Sequence, residues 1–163
     1  MVLERAAMLR RIFPPSDSCL ILNDRVSLVQ ATRFEGVHIG QEDQSPADTR
    51  AALGPNILIG VSTHGEAHLL AAAAGPADYV AIGPVFATVS KKVPDPVVGL
   101  GGVRLARAMT TKPLVAIGGI GRANGSSVID AGADSVAVIS DLLPTPTHST
   151  AKRIEEFLTT LTS

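Results

Sequence analysis

Two spacings of apolar residues alternate along this chain. Short unbroken apolar runs are followed by longer stretches in which apolar side chains recur every three or four positions, the rhythm of strand and then helix. From Met1 to Phe13 the residues Leu3, Ala6, Ala7, Leu9, Ile12 and Phe13 form one helical stripe opposite arginines, and Pro14-Pro15 ends it. The run 19–22 predicts a buried strand that begins at Cys19 and exits at Asn23-Asp24. A short helix follows from Arg25 to Arg33, with Val26, Leu28 and Val29 inward. Strand 36–39 is stopped by Gly40 and exits into Gln41-Glu42-Asp43. Ser45-Pro46-Ala47-Asp48 then starts a helix with a capping hydroxyl, a proline in the first turn and an acid three residues after the cap.

Beyond Gly54-Pro55 the same alternation continues. Strand 57–59 exits at Gly60-Val61-Ser62-Thr63-His64, and the Ala-rich run from Glu66 to Ala74 is helical up to Gly75-Pro76. Strand 79–82 precedes a long irregular segment from Gly83 to Gly99. A helix from Leu100 or Gly101 to Met109, strand 114–117, helix 124–131, strand 135–139 and an amphipathic helix from Ser149 to Leu161 complete the chain. Strand–helix order throughout predicts a parallel α/β sheet in a single domain, with no linker or low-complexity tract to divide it.

Composition narrows the function classes. At 163 residues the chain can enclose a continuous core; 45 % of it is apolar, chiefly Ala, Val, Ile and Leu, with no Trp and one Tyr. A net charge of −1 and so few aromatics argue against a nucleic-acid partner. The lone Cys19 offers no disulfide and fits a reducing compartment. No signal-like start and no apolar stretch of membrane-spanning length is present, so a cytoplasmic protein without a membrane partner is expected.

Chemistry is expected at the C-terminal ends of the strands, where parallel α/β folds carry their ligands. Asp24 and Asp43 follow consecutive strands, and two carboxylates facing one another suit Mg²⁺ bound to a phosphorylated substrate. Aspartate equally supports turns. Gly118-Gly119 at a helix start, with Ile139-Ser140 one unit later, offers backbone N–H groups to a phosphate, or simply a tight turn. Ser62 and Thr63 place hydroxyls at another exit, Thr63 reading better as a helix cap. Thr88 to Lys92 sets hydroxyls and cations on the long loop. His38, inside a strand, reads as a hydrogen-bonded core histidine. His64 is either a general base or a surface residue at a helix start.

Taken together, six segments resemble thiamine-phosphate synthases: 21–24, 36–43, 60–64, 83–91, 115–120 and 138–140, in that family's order and spacing. The resemblance implies a (β/α) TIM-barrel fold with six of its eight units here, joining hydroxymethylpyrimidine diphosphate to thiazole phosphate with release of diphosphate. It implies that Asp24 and Asp43 hold Mg²⁺, that Asn23 and Ser62 meet the pyrimidine substrate, and that Lys91 meets its diphosphate. Thr88, Val89 and Ser90 match the thiazole-phosphate loop, as do Gly119 and Ile139-Ser140. Ser90 stands where the family more often has Thr and keeps the hydroxyl.

The family's first two strand–helix units, the second carrying a Gln-x-Arg-x-Lys clamp, have no counterpart before Asn23. Without them strands 19–22 and 135–139 become sheet edges, which predicts self-association or poor solubility and little synthase activity. Two alternatives share the scaffold: a thiazole tautomerase-like isomerase, for which a histidine is expected near the 79–82 exit where this chain has Pro84, and a phosphate-binding barrel without catalysis.

Overall fold

The computed structural model describes residues 1–88 and 95–162, with side chains to 161. Six parallel strands pair strictly in chain order: β1 (Ile21–Asn23), β2 (Gly36–Ile39), β3 (Leu58–Thr63), β4 (Tyr79–Ile82), β5 (Leu114–Ile117) and β6 (Ser135–Ala137). The helices are α1 (Val2–Ile12), α2 (Val29–Thr32, entered through a 3-10 turn at Val26–Leu28), α3 (Pro46–Leu53), α4 (Glu66–Ala74), α5 (Gly99–Met109), α6 (Gly125–Asp130) and α7 (Thr150–Thr162). β1 and β6 each have one neighbour among the described residues, so the sheet is a curled half-barrel.

Strand pleating sorts the side chains into two layers. Val37, Ile39, Ile59, Val61, Val80, Ile82, Leu114 and Ala116 form a closed core on one face with Val29, Leu69, Val103 and Val128 from the helices. The alternate positions, His38, Gly60, Ser62, Tyr79 and Ala81, share the concave face. They leave room there for a ligand rather than a second apolar core.

An acid immediately before every second strand pins the opposite, N-terminal end. Glu35 Oε2 accepts from Leu20 N at 2.7 Å, Asp78 Oδ2 from Ile59 N at 2.7 Å, and Asp134 Oδ2 from Leu114 N at 2.7 Å. Each carboxylate also pairs with an arginine of a preceding helix: Arg10 at 2.8 Å, Arg50 at 2.5 Å and Arg107 at 2.8 Å. Parallel strands leave their first N–H groups without ladder partners, and these acids satisfy them.

Several boundaries differ from the sequence expectation. Cys19 precedes β1 and is exposed, because the ladder starts only where Ile21 pairs with Gly36. β3 continues through Gly60 to Thr63. Thr63 is therefore no helix cap: it is fully buried and donates its hydroxyl to Ala81 O at 2.9 Å, while Gly65 precedes α4. β6 ends at Ala137, and Ile139 leads into a 3-10 turn at Ser140–Leu142. The cap at Ser45 forms as expected, its Oγ accepting from Asp48 N at 3.1 Å.

Candidate active site

The exits of β1 and β2 bring Asp24 and Asp43 together. Asp24 adopts a left-handed conformation (φ 62°), one that Asp tolerates better than most residues, and its N–H donates to His38 O at 2.9 Å. That bond carries the β1–β2 pairing one residue past the strand end. Asp43 is folded back over Gly40, its Oδ2 accepting from Gly40 N at 2.7 Å. The two carboxyls lie within hydrogen-bonding reach of each other. Burial, and then the facing Asp43, push Asp24 above the ordinary carboxylate range. Two hard oxygen donors repelling each other in one mouth fit a divalent cation, which removes the repulsion. Among the described residues no third His, Cys, Asp or Glu joins them. The remaining coordination positions would fall to substrate oxygens and water.

Beside them on the concave face runs a polar chain. His38 Nδ1 lies 2.9 Å from the Tyr79 hydroxyl and Nε2 lies 2.8 Å from Ser62 Oγ. The phenol ring stacks near the imidazole, centroids 5.6 Å apart and planes at 29°. Burial lowers the His38 pKa below the usual imidazole value and pushes the Tyr79 phenol up to about 12, so both stay neutral at physiological pH. Tyr79 has this position because Gly60 lacks a side chain: a Cβ there would sit 1.9 Å from the phenol Cζ. Gln41 Nε2 donates to Ser62 O, tying the β2 exit to β3.

The exits of β5 and β6 line an open cleft of about 520 Å³. Thr88, Gly119, Asn124 and Ser140 border it, with Arg122 and Arg153. Gly119 has φ 67°, and a Cβ on it would stand 2.6 Å from Ala87 O. Only glycine fits that turn. Among the described residues the Gly119 and Ser140 N–H groups have no protein acceptor, whereas Gly121 N is taken by Asn124 Oδ1 at 2.8 Å and Arg122 N by Asp141 Oδ2 at 2.9 Å. Asp141 ties the cleft to α7: Arg153 donates to its backbone O at 2.6 Å and to its Oδ1 at 2.9 Å. Burial alone would raise the Asp141 pKa, but the bonds from Arg122 and the charge of Arg153 hold it below the usual range.

Residues 1–142 fit the family model for thiamine monophosphate synthase. The chain belongs to the thiamine-phosphate synthase family. It is 53 % identical over 162 residues to the thiamine-phosphate synthase of Koribacter versatilis, covering 99 % of this chain and 74 % of that one. With the Chloroflexus aurantiacus enzyme it shares 40 % over 152 residues, 93 % of this chain and 70 % of that one. The thiamine phosphate pyrophosphorylase structure from Pyrococcus furiosus superposes with a TM-score of 0.83 at 30 % identity, over 98 % of this chain and 77 % of that one. Against the phosphoribosylanthranilate isomerase of the same organism the TM-score is 0.68 at 16 % identity, a likeness of fold alone.

Of the synthase residues expected from sequence, Asn23, Asp24, Asp43 and Ser62 gather at the β1–β3 end of the rim, and Thr88, Gly119 and Ser140 at the cleft. Ile139 borders it only through its backbone neighbour, its side chain being 70 % exposed. Val89, Ser90 and Lys91 lie outside the described residues. His38 is hydrogen-bonded through both ring nitrogens, as its strand position suggested. His64 donates Nδ1–H to Gly83 O at 2.5 Å and turns Nε2 to Asp95 Oδ2 at 3.6 Å, which ties it to the start and end of the long loop. Pro84 occupies the place where a tautomerase-like histidine was expected. Sequence reading missed Tyr79, Arg122 and Arg153. Arg153 sits on the apolar stripe of α7 one turn before Phe157, a misplaced charge that hinted at a partner. No helix among the described residues is long and apolar enough to cross a membrane.

Proposed function

We propose that this rim joins hydroxymethylpyrimidine diphosphate to thiazole phosphate, in a cytoplasmic protein of thiamine biosynthesis, with a division of labour between its two ends. The observation that carries the proposal is the convergence of Asp24 and Asp43, two facing carboxyls whose mutual repulsion a bound cation would relieve. They would hold Mg²⁺ against the diphosphate. Asn23 and Ser62 would orient the pyrimidine half, with Lys91 at the diphosphate. Thr88, Val89 and Ser90 would bind the thiazole phosphate, whose oxygens Gly119 and Ser140 would receive through backbone N–H groups.

The C–O bond to diphosphate breaks and the electron pair leaves with the diphosphate, so positive charge develops on the pyrimidine methylene carbon. Mg²⁺ supplies the counter-charge for that leaving group. The thiazole nitrogen, held by its phosphate in the neighbouring cleft, then forms the new C–N bond. No side-chain nucleophile is required; the residues act by charge and by orientation.

Titration calorimetry on Asp24→Asn tests the division. Mg²⁺-dependent binding of the pyrimidine diphosphate should fall by at least tenfold, while thiazole phosphate affinity stays within about twofold. Equal loss of both ligands would make Asp24 structural and end the metal assignment.

A further inference from the structure

We infer that Arg153 of α7 is a positioning residue for the phosphate cleft, holding the turn after β6 so that the Ser140 N–H meets the ligand; this rests on the thiazole phosphate site proposed above. Two backbone donors, on Gly119 and Ser140, must converge on one phosphate although they belong to turns after different strands. The turn after β6 has little support from the sheet. β6 is three residues long and pairs only with β5 among the described residues, so no strand holds its far side.

Support comes from Asp141, the residue after Ser140. Its Oδ2 accepts from Arg122 N at 2.9 Å and from Arg122 Nε at 3.0 Å, which joins it to the turn after β5. From the other side Arg153 donates Nε–H to Asp141 O at 2.6 Å and Nη2–H to Asp141 Oδ1 at 2.9 Å. A single bond fixes a distance. Two bonds from one planar guanidinium, to the backbone and the side chain of the same residue, fix an orientation. That orientation carries to Ser140, because Leu142 N donates to Ile139 O at 3.2 Å and Leu143 N to Ser140 O at 3.3 Å, closing the turn as one unit.

Packing alone does not call for an arginine here. α7 already rests on α6 through Phe157 and Leu161, which close over Gly125 so tightly that a Cβ there would stand 3.4 Å and 3.1 Å from them. Apolar side chains of similar volume stabilise a buried position as well as an ion pair does, so docking of α7 would be served without a charge. Charge matters to the ligand instead. Asp141 borders the cleft and would repel a phosphate unless neutralised. Arg122 is shared between Asp141 and Glu156, whereas Arg153 pairs with Asp141 alone among the described residues.

Assigned ¹H–¹⁵N spectra and titration calorimetry on the whole chain test this. In the parent, thiazole phosphate should move the Gly119 and Ser140 amide protons downfield, as hydrogen bonds to an anion do. Arg153→Met keeps an unbranched side chain and removes both bonds. It should lose the Ser140 displacement, keep that of Gly119, and bind thiazole phosphate about tenfold more weakly, with hydroxymethylpyrimidine diphosphate affinity within about twofold. Arg153→Lys keeps the charge but cannot span both acceptors; it should bind about threefold more weakly with a reduced Ser140 displacement, and it carries the test if Arg153→Met does not fold. Arg107→Met is the control, since Arg107 also pairs with an aspartate, Asp134, but at the opposite end of the strands. Both amide displacements should survive in it. A parent-like Ser140 displacement in either Arg153 variant, its loss in Arg107→Met, or equal weakening of both ligands overturns the positioning role. Thiazole phosphate that displaces neither amide in the parent overturns the cleft assignment itself, and the role of Arg153 with it.

Discussion

Replacing Gly119 by Ala asks the most of the phosphate cleft for the smallest change in chemistry. At φ 67° an L side chain costs about 1–2 kcal/mol in backbone strain. The added Cβ would also stand 2.6 Å from Ala87 O, 2.8 Å from Phe86 Cβ and 2.8 Å from Phe86 O. Two of those three atoms are backbone, so no rotamer change relieves them, and overpacking of this kind costs about 1–3 kcal/mol. The expected destabilisation is therefore about 2–5 kcal/mol, read as a lower urea midpoint at unchanged slope. Relief of the contact must push the Phe86–Ala87 segment away from the cleft, and Thr88 follows directly. Thiazole phosphate affinity should fall at least tenfold while pyrimidine diphosphate affinity is retained. Gly101→Ala in α5 is the control: nothing lies within 4 Å of its Cβ, and it should cost less than about 1 kcal/mol. A Gly119→Ala chain as stable as the parent would refute the steric reasoning. Unaltered thiazole phosphate binding would remove the phosphate from this cleft.

Three further outcomes are expected. Glu35 is partly buried, which alone would raise its pKa, but the bonds from Arg10 and from Leu20 N–H carry it below the ordinary carboxylate value. A depressed folded pKa means stability that is complete above the unfolded value of about 4.3 and lost as pH falls through the folded one. Glu35→Gln should therefore cost about 1–2 kcal/mol at pH 7, and its gap from the parent should close below pH ~4; a gap independent of pH would refute the linkage. Thr49 is fully buried with a hydroxyl that has no partner among the described residues, so Thr49→Val should raise the urea midpoint by the equivalent of about 1 kcal/mol, and a lower midpoint would show an undetected partner. Among the described residues the outer edges of β1 and β6 have no strand partner, and the exposed Ile139 and Leu143 follow β6, so sedimentation should show self-association that grows with concentration; a monomer at all concentrations would refute it.

The order of the strands, and the residues standing at their exits, were legible in the sequence because each depends on neighbours in the chain. Val37 and Ile39, or Val80 and Ile82, announce strands by local apolar runs, and Gly40 and Gly83 mark where they stop. Asp24, Asp43, Gly119 and Ser140 could be listed from that rhythm alone, since a parallel sheet sends every strand's C-terminal end to one rim. The errors came where a distant partner overruled a local signal. Gly60 reads as a strand terminator, yet β3 runs through it, because Tyr79 of β4 needs the space its missing side chain leaves. Thr63 then becomes a buried strand residue rather than a cap. Cys19 looks like core by its apolar neighbours, but the ladder with β2 begins two residues later.

What only the tertiary structure decided is which groups exchange protons and charge. Tyr79 and His38 are 41 residues apart, His38 and Ser62 are 24 apart, and Arg122 and Glu156 are 34 apart. No periodicity connects such positions. The left-handed backbone at Asp24 is likewise a product of strand pairing, and with the local turn that folds Asp43 back over Gly40 it turns two separate carboxylates into one pair. Local sequence can determine where a strand ends, because apolar burial and turn chemistry act over a few residues. Whether the side chain at that end is a donor, an acceptor or a repelled charge depends on which strand is paired beside it.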